Sequence, residues 1–232
     1  MRPLTYYFQK AMIPVGSKQK PLLEYVVRLL KHHGIAEIAL LVNYKAEQII
    51  NYFEDGARFG VKMEYIYDDP TYRGNGGALL NAYLKGVFSG YRDVLVYYGD
   101  VLTNLNLSDL LRVHREADAA ATLALSMNYN VSVGVAQVEG TRVVKLEEKP
   151  PLGRPVTMGI LAVKTESLSV LAEIARPNSE VDLMRDFIPE LIRRGQRVEG
   201  YVTDAFWYDV GSIERYEKLD PLLVDSELSF LL

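Results

Sequence analysis

The chain contains no cysteine, which excludes disulfides, zinc–thiolate centres and thiol catalysis together. It also lacks a long apolar run. Every hydrophobic stretch is interrupted by charge well short of the ~20 residues a membrane-spanning helix needs, and no signal-peptide core follows Met1. These absences predict a cytoplasmic protein with no membrane partner. An excess of positive charge is missing too: 26 Lys and Arg face 30 Asp and Glu, for a net charge of −4. That balance argues against a nucleic-acid partner and still leaves room for a locally basic phosphate pocket. No internal repeat or flexible linker divides the chain. With 49% hydrophobic and 24% charged residues, its 232 residues can bury one substantial core.

Periodicity indicates alternating helices and strands. Pro21 opens a helical pattern that carries Val26, Val27, Leu29 and Leu30 on one face and stops at Gly34. Residues 38–42 and 93–98 read as continuous apolar strands, the pattern expected where helices cover both faces of a parallel sheet. Between them lie a helix over 45–53, a strand over 61–67 and a helix over 77–87. Ser108 is placed to cap a further helix, and a strand over 122–127 follows. From about residue 133 the texture becomes β-rich, over 133–138, 143–147 and 159–163, which predicts a partly antiparallel sheet on the edge of the first. Helices over 166–175 and 182–194, a strand over 198–202 and a helix opened by Ser212 complete the pattern. The predicted class is α/β: a Rossmann-like, mostly parallel sheet flanked by helices, with a smaller partly antiparallel lobe.

Carboxylates at strand ends are the chemical candidates. The apolar run ending Tyr97-Tyr98-Gly99 delivers Asp100 to the carboxyl edge of the sheet, where open α/β folds bind ligands. Asp209, in Trp207-Tyr208-Asp209-Val210-Gly211-Ser212, stands just before a helix start. Taken alone, Asp100 reads first as a turn aspartate and Asp209 as a neighbour of a helix N-terminus. As a pair of oxygen donors without His or Cys they favour Mg²⁺, which takes one or two carboxylates with waters and phosphates. Lys10, in a loop of small and apolar residues, and Lys149, directly after a strand, are candidate phosphate ligands or surface ion-pair partners. Gly74-Asn75-Gly76-Gly77, ahead of a helix, would let backbone N–H groups or a flat base come close.

In this order the segments resemble the sugar-1-phosphate nucleotidylyltransferases over nearly the whole chain, with mannose-1-phosphate guanylyltransferases and glucose-1-phosphate thymidylyltransferases as the models. Arg2-Pro3-Leu4-Thr5 with Lys10 and Pro14-Val15 is similar to the family's Arg/Tyr-Pro-x-Thr-x-x-x-Pro-Lys-Pro-x-x-Pro-Val segment, with Gln9 and Ala11 in place of two prolines. Gly74, Gly76 and the following Gly77-Ala78-Leu79 resemble the turn beside the nucleotide base, which aligns Asp69 with a base-reading Gln or Glu. Gly99-Asp100 resembles the metal aspartate, Gly134-Val135 the sugar-contacting Tyr-Gly-Val, and Glu148-Lys149-Pro150 the Glu-Lys-Pro motif. Gly159 resembles the glycine of Asn-x-Gly-Ile, with Thr157 where the family has its sugar-binding Asn, and Asp209 resembles the second metal ligand.

The resemblance implies one nucleotidyltransferase domain over 1–232, with a nucleotide-binding part over 1–130 and a sugar-phosphate part over 131–232. It implies transfer of a nucleotidyl group from a nucleoside triphosphate, GTP leaning because of Asp69, to a sugar 1-phosphate, with Mg²⁺ on Asp100 and Asp209. Lys10 and Lys149 would draw the anions together, and Glu148, Gly134 and Gly159 would hold the sugar. The family's opening strand and Gly-Gly-x-Gly-Thr-Arg-Leu loop do not precede Met1, so slowed turnover is expected, together with a gap between the strands at 38–42 and 94–98. Direct pairing of those strands, a segment of a second molecule, or the apolar tail over 228–232 would close that gap; the tail otherwise reads as a frayed terminus. A non-catalytic sugar-phosphate or nucleotide binder is the competing class, and dimerisation through the second lobe is left open.

Overall fold

The computed structural model describes residues 1–232. Its strands are β1 (Pro14–Val15), β2 (Lys20–Pro21), β3 (Glu37–Val42), β4 (Lys62–Tyr67), β5 (Asp93–Tyr97), β6 (Val101–Thr103), β7 (Ala121–Ser126), β8 (Val135–Glu139), β9 (Arg142–Glu147), β10 (Val156–Lys164), β11 (Val198–Thr203) and β12 (Trp207–Asp209). The helices are α1 (Leu22–His32), α2 (Ala46–Phe53), α3 (Gly74–Leu84), α4 (Leu107–Glu116), α5 (Ser169–Ile174), α6 (Ile188–Arg193), α7 (Ile213–Lys218) and α8 (Pro221–Leu228). The architecture is α/β, a Rossmann-like mixed sheet flanked by helices, as the sequence predicts. Helix α1 shows why the periodicity was legible. Leu22, Leu23, Val26, Val27, Leu29 and Leu30 are all buried, Lys31 and His32 face the negative end of the helix dipole, and Gly34 leaves the helix at positive φ.

Two helix starts differ from expectation. Asn106, not Ser108, caps α4: its Oδ1 accepts from Asp109 N at 3.1 Å, while the Ser108 hydroxyl meets His33 Nδ1 at 2.9 Å. Helix α3 begins at Gly74, three residues ahead of the predicted start, because a neighbouring segment holds the glycines in a helical turn. Val181 N donates to Arg73 O, and Gly76 N donates to Val181 O, both at 2.9 Å.

The central sheet runs β11-β7-β10-β5; β11 is parallel to β7, and β10 is antiparallel to both neighbours. This corrects the prediction that residues 159–163 form an edge. Met158, Ile160, Leu161, Ala162 and Val163 are all buried, and a strand apolar on both faces is accommodated only inside a sheet. The antiparallel hairpin β8–β9 stands apart as the smaller lobe, exposed along its length. Strands β3 and β4 pair in parallel as a separate ladder.

No ladder joins β3 to β5, so the strands flanking the expected gap do not pair directly. Nor does the tail enter that space. Helix α8 and the turn Ser229–Leu231 fold back on α1, burying Leu228 and Leu231 in its core; Arg28 Nη1 donates to Leu231 O at 3.2 Å, and Phe230 meets the His32 ring edge-on. The tail is a packed element, which corrects its reading as a frayed terminus. We therefore expect Leu228→Ala to destabilise the protein by about 2–4 kcal/mol in urea unfolding, the range for truncating a buried leucine, whereas a frayed residue would change it by less than about 0.5 kcal/mol.

Candidate active site

Strand pairing brings Asp100 and Asp209 together across more than a hundred residues of sequence. Strand β5 ends at Tyr97, Gly99 turns against Ala11 and Leu23, and Asp100 leads into β6. Strand β6 pairs with β12 so that Asp209 lies opposite Val101, and Val210 N donates to Asp100 O at 2.9 Å. Burial, then the neighbouring Asp100 charge, raises the Asp209 carboxyl above the usual aspartate range, against the opposing pull of Arg215 and Lys10. Two cations offset the pair. Lys10 Nζ forms an ion pair with Asp100 Oδ2, and Arg215 Nη1 donates to Asp209 Oδ2 at 2.5 Å.

Local structure aims each of these groups. Lys10 opens a 3₁₀ turn whose first N–H groups are capped by Gln9, with Oε1 accepting from Ala11 N at 2.5 Å, and the following Ala11 and Met12 anchor the turn in the core. Gly211 is required beside Asp209: a Cβ there would lie 2.9 Å from the carboxylate. Ser212 caps α7 by accepting from Arg215 N at 3.2 Å, which swings the Arg215 side chain back over Asp209.

A second group of residues surrounds Tyr98. Gly159 has φ of +75°, and a Cβ on it would lie 3.1 Å from the Tyr98 ring, so that ring stacks against the bare backbone of β10. Asn75 Nδ2 donates to Tyr98 Oη at 3.0 Å and to Asp182 Oδ2 at 2.9 Å. Burial, reinforced by Asp182 and Asp100, pushes the Tyr98 phenol up to about 12. The close approach that Gly74 and Gly76 permit within the chain is to Val181, whose carbonyl oxygen would lie 2.5 and 2.9 Å from added Cβ atoms.

The remaining candidates are more dispersed. Gly134 and Glu148 meet at the root of the β8–β9 hairpin, where a Cβ on Gly134 would approach Glu148 Oε2 at 3.1 Å. Lys149, at positive φ, is near enough to α7 to help hold Glu214 below the usual glutamate range, behind the Lys218 hydrogen bond. No hydrogen bond or ion pair joins Glu148 or Lys149 to the Asp100–Asp209 centre. Asp69 accepts from Thr71 N at 2.8 Å through Oδ1, a turn contact that lowers its carboxyl. Arg215, Tyr98, Asn75 and Asp182 were not singled out in the sequence. A polar Asn between glycines and an Arg three residues after a capping Ser were the available signals.

Comparison with known proteins fits this geometry. The model of the nucleotidyl transferase family matches residues 1–225. The chain belongs to that family. Among curated relatives it is 31% identical to a UTP–glucose-1-phosphate uridylyltransferase of Synechocystis sp., covering 93% of this chain and 58% of the relative. It is 28% identical to a glucose-1-phosphate thymidylyltransferase of Streptomyces griseus, covering 97% and 63%, and 29% identical to a mannose-1-phosphate guanylyltransferase of Mycobacterium tuberculosis, covering 93% and 59%. The chain thus spans about six-tenths of the length of these relatives. Among solved structures, a UDP-glucose pyrophosphorylase complexed with UDP-glucose superposes with a TM-score of 0.71 at 19% identity, over 97% of this chain and 94% of that one. HddC from Yersinia pseudotuberculosis superposes with a TM-score of 0.68 at 22% identity, over 91% and 88%. These two likenesses carry the fold.

In this member of the nucleotidyl transferase family, Asp100 and Asp209 are the residues that could hold a divalent cation. They are hard oxygen donors already held together, no His or Cys joins them, and no group of three or more such ligands forms elsewhere. The raised carboxyl of Asp209 has a consequence for stability. An acid whose folded pKa exceeds its unfolded value stabilises the fold below the unfolded pKa and loses that contribution as pH rises through the folded one. Asp209→Asn, in metal-free buffer, should therefore raise the unfolding temperature at pH 7 relative to the parent, and the advantage should vanish as pH falls below about 4. Thermal unfolding across pH checks this; a lower unfolding temperature for the variant at pH 7 would mean that the Arg215 ion pair outweighs the repulsion.

Proposed function

We propose that this chain transfers a nucleotidyl group from a nucleoside triphosphate to a sugar 1-phosphate, releasing pyrophosphate. The observation that carries the reading is the cluster of Lys10, Asp100, Asp209 and Arg215 at the carboxyl edge of β5, two carboxylates and two cations assembled from three distant segments. The names of the relatives, which act on glucose or mannose 1-phosphate, support the same class.

The reaction needs no covalent enzyme intermediate. A phosphate oxygen of the sugar 1-phosphate attacks the α-phosphorus in line, the bond from that phosphorus to the bridging oxygen breaks, and pyrophosphate carries away the electron pair. Binding two anions side by side is then the main obstacle, and positioned charge is the remedy. Asp100 and Asp209 would hold Mg²⁺, which when bound neutralises phosphate charge. Lys10 and Arg215, each now paired with one of those carboxylates, would turn towards phosphate oxygens, and Lys149 would meet the sugar phosphate. Glu148, with backbone at Gly134 and Gly159, would take sugar hydroxyls.

Base recognition is assigned to the 74–77 segment and Asp69, which the resemblance aligns with a base-reading Gln or Glu, so GTP leads and mannose 1-phosphate is the first sugar to try. No helix is long and apolar enough to cross a membrane, and a cytoplasmic site of action belongs to the same proposal. So does a homodimer through the second lobe, supported by exposed Val135, Val138 and Leu146 on the hairpin.

Pyrophosphate release from GTP, UTP, dTTP and ATP, each with mannose or glucose 1-phosphate and Mg²⁺, tests the reading. GTP should rank first, and Asp100→Asn and Asp209→Asn should each lower the rate by at least ~10²-fold, the usual cost of removing one group that stabilises transition-state charge. Binding of both ligands without release would turn the assignment to a non-catalytic binder.

A further inference from the structure

We propose that the Tyr98 hydroxyl, oriented by Asn75, donates a hydrogen bond to an oxo group of the bound nucleobase and so selects against adenine. The inference rests on the nucleotide reading above and adds to it a residue and a chemical class of base.

The direction of the hydrogen bonds carries the inference. Asn75 Oδ1 accepts from Leu183 N at 2.8 Å, which fixes which end of the amide faces which way. Its Nδ2 therefore supplies both hydrogens outward, one to Asp182 Oδ2 and one to Tyr98 Oη. Tyr98 is an acceptor in that contact. No atom of the protein accepts its own phenolic hydrogen, although Asp182 and Asp100 both lie near enough to raise the phenol. Asp182 is not free to turn towards it. Its Oδ1 accepts from Met184 N and Arg185 N, each at 2.8 Å, and its own N–H donates to Asp186 Oδ2 at 2.8 Å. The chain of donors runs one way, from the Leu183 backbone through Asn75 to Tyr98, and ends in a hydrogen with nothing to meet. A donor chain of this kind strengthens its terminal hydrogen bond.

Position then selects the base over the sugar. Asn75 lies in the first turn of α3, within the 74–77 segment, whereas Lys149 acts at Glu214 on α7, beside the Arg215–Asp209 pair. Tyr98 points its hydroxyl to the α3 side: the sugar-assigned Gly159 meets only the root of the side chain, at Cβ, Cγ and Cδ2, while the oxygen at the far end lies against Asn75. Guanine, uracil and thymine each present a ring carbonyl that accepts from a hydroxyl. Adenine presents an amino group at the corresponding edge, and a site that aims a fixed donor at an acceptor disfavours the analogue lacking it.

Calorimetric titration of GTP, UTP, ATP and mannose 1-phosphate into the parent protein and Tyr98→Phe tests this, with thermal unfolding of both. The variant should bind GTP and UTP about tenfold more weakly, as expected for one lost hydrogen bond of about 1.4 kcal/mol, with ATP and mannose 1-phosphate unchanged. KM for the nucleotide should rise more than kcat falls, because a base contact is made equally in the ground and transition states. A second measurement needs no substitution: GTP with sulfur for its 6-oxygen, a poorer acceptor, should bind the parent several-fold more weakly than GTP and should bind Tyr98→Phe about as well as GTP does. Equal GTP and UTP affinities for parent and variant would overturn the assignment, as would a loss shared by ATP or confined to mannose 1-phosphate. A parent protein that binds no nucleoside triphosphate would overturn the proposed function itself, and this assignment with it.

Discussion

Two like charges held side by side by backbone pairing are the constraint on which the site depends. Asp100 and Asp209 cannot move apart without breaking the β6–β12 ladder and the Val210 N to Asp100 O bond. The fold answers this repulsion locally, with Lys10 on one carboxylate and Arg215 on the other. An arrangement that disfavours the charged form of Asp209 is a liability for stability and an asset for binding a cation, the usual signature of a functional centre.

The strand that delivers Asp100 is braced at its other end as well. Asp93, at the start of β5, is almost fully buried; Arg115 Nε donates to it at 3.0 Å, and the buried His114 lies 3.5 Å away, itself bonded to Thr122 on β7 at 2.9 Å. Burial disfavours charge on that histidine more strongly than Asp93 favours it. With β10 pairing along one side and this cluster at its base, β5 is a fixed rod with a reactive tip. No strand pairs with its other side.

Close backbone approach is the second device. Gly74 and Gly76 let the Val181 carbonyl press on the start of α3, and Gly159 lets the Tyr98 ring lie on β10. These contacts join segments that the family resemblance assigns to base, cation and sugar. A glycine whose missing side chain admits another part of the same protein is a packing residue first, and any contact with ligand is built on that packing.

Much of this was legible in the residues alone. The α/β class, the span of α1, the strands β3, β5 and β7 and the candidate carboxylates follow from periodicities of two and 3.6 and from motif order, because those patterns are local. The place of β10 was not, since antiparallel insertion between β5 and β7 depends on which buried edge is available. Nor was the packing of Leu228 and Leu231 on α1, where a short apolar tail gains its place only from a surface built by residues two hundred positions earlier. Arg215 over Asp209 and the Asn75–Tyr98–Asp182 network likewise join residues separated by six to over a hundred positions. Sequence by itself determined which side chains were available and which local elements would form, because propensity and amphipathic pattern act over a few residues. Only the tertiary structure decided which carboxylates meet, which cations offset them and where the Tyr98 proton is left without an acceptor, because hydrogen-bond direction and charge pairing depend on distances that the chain acquires when it folds.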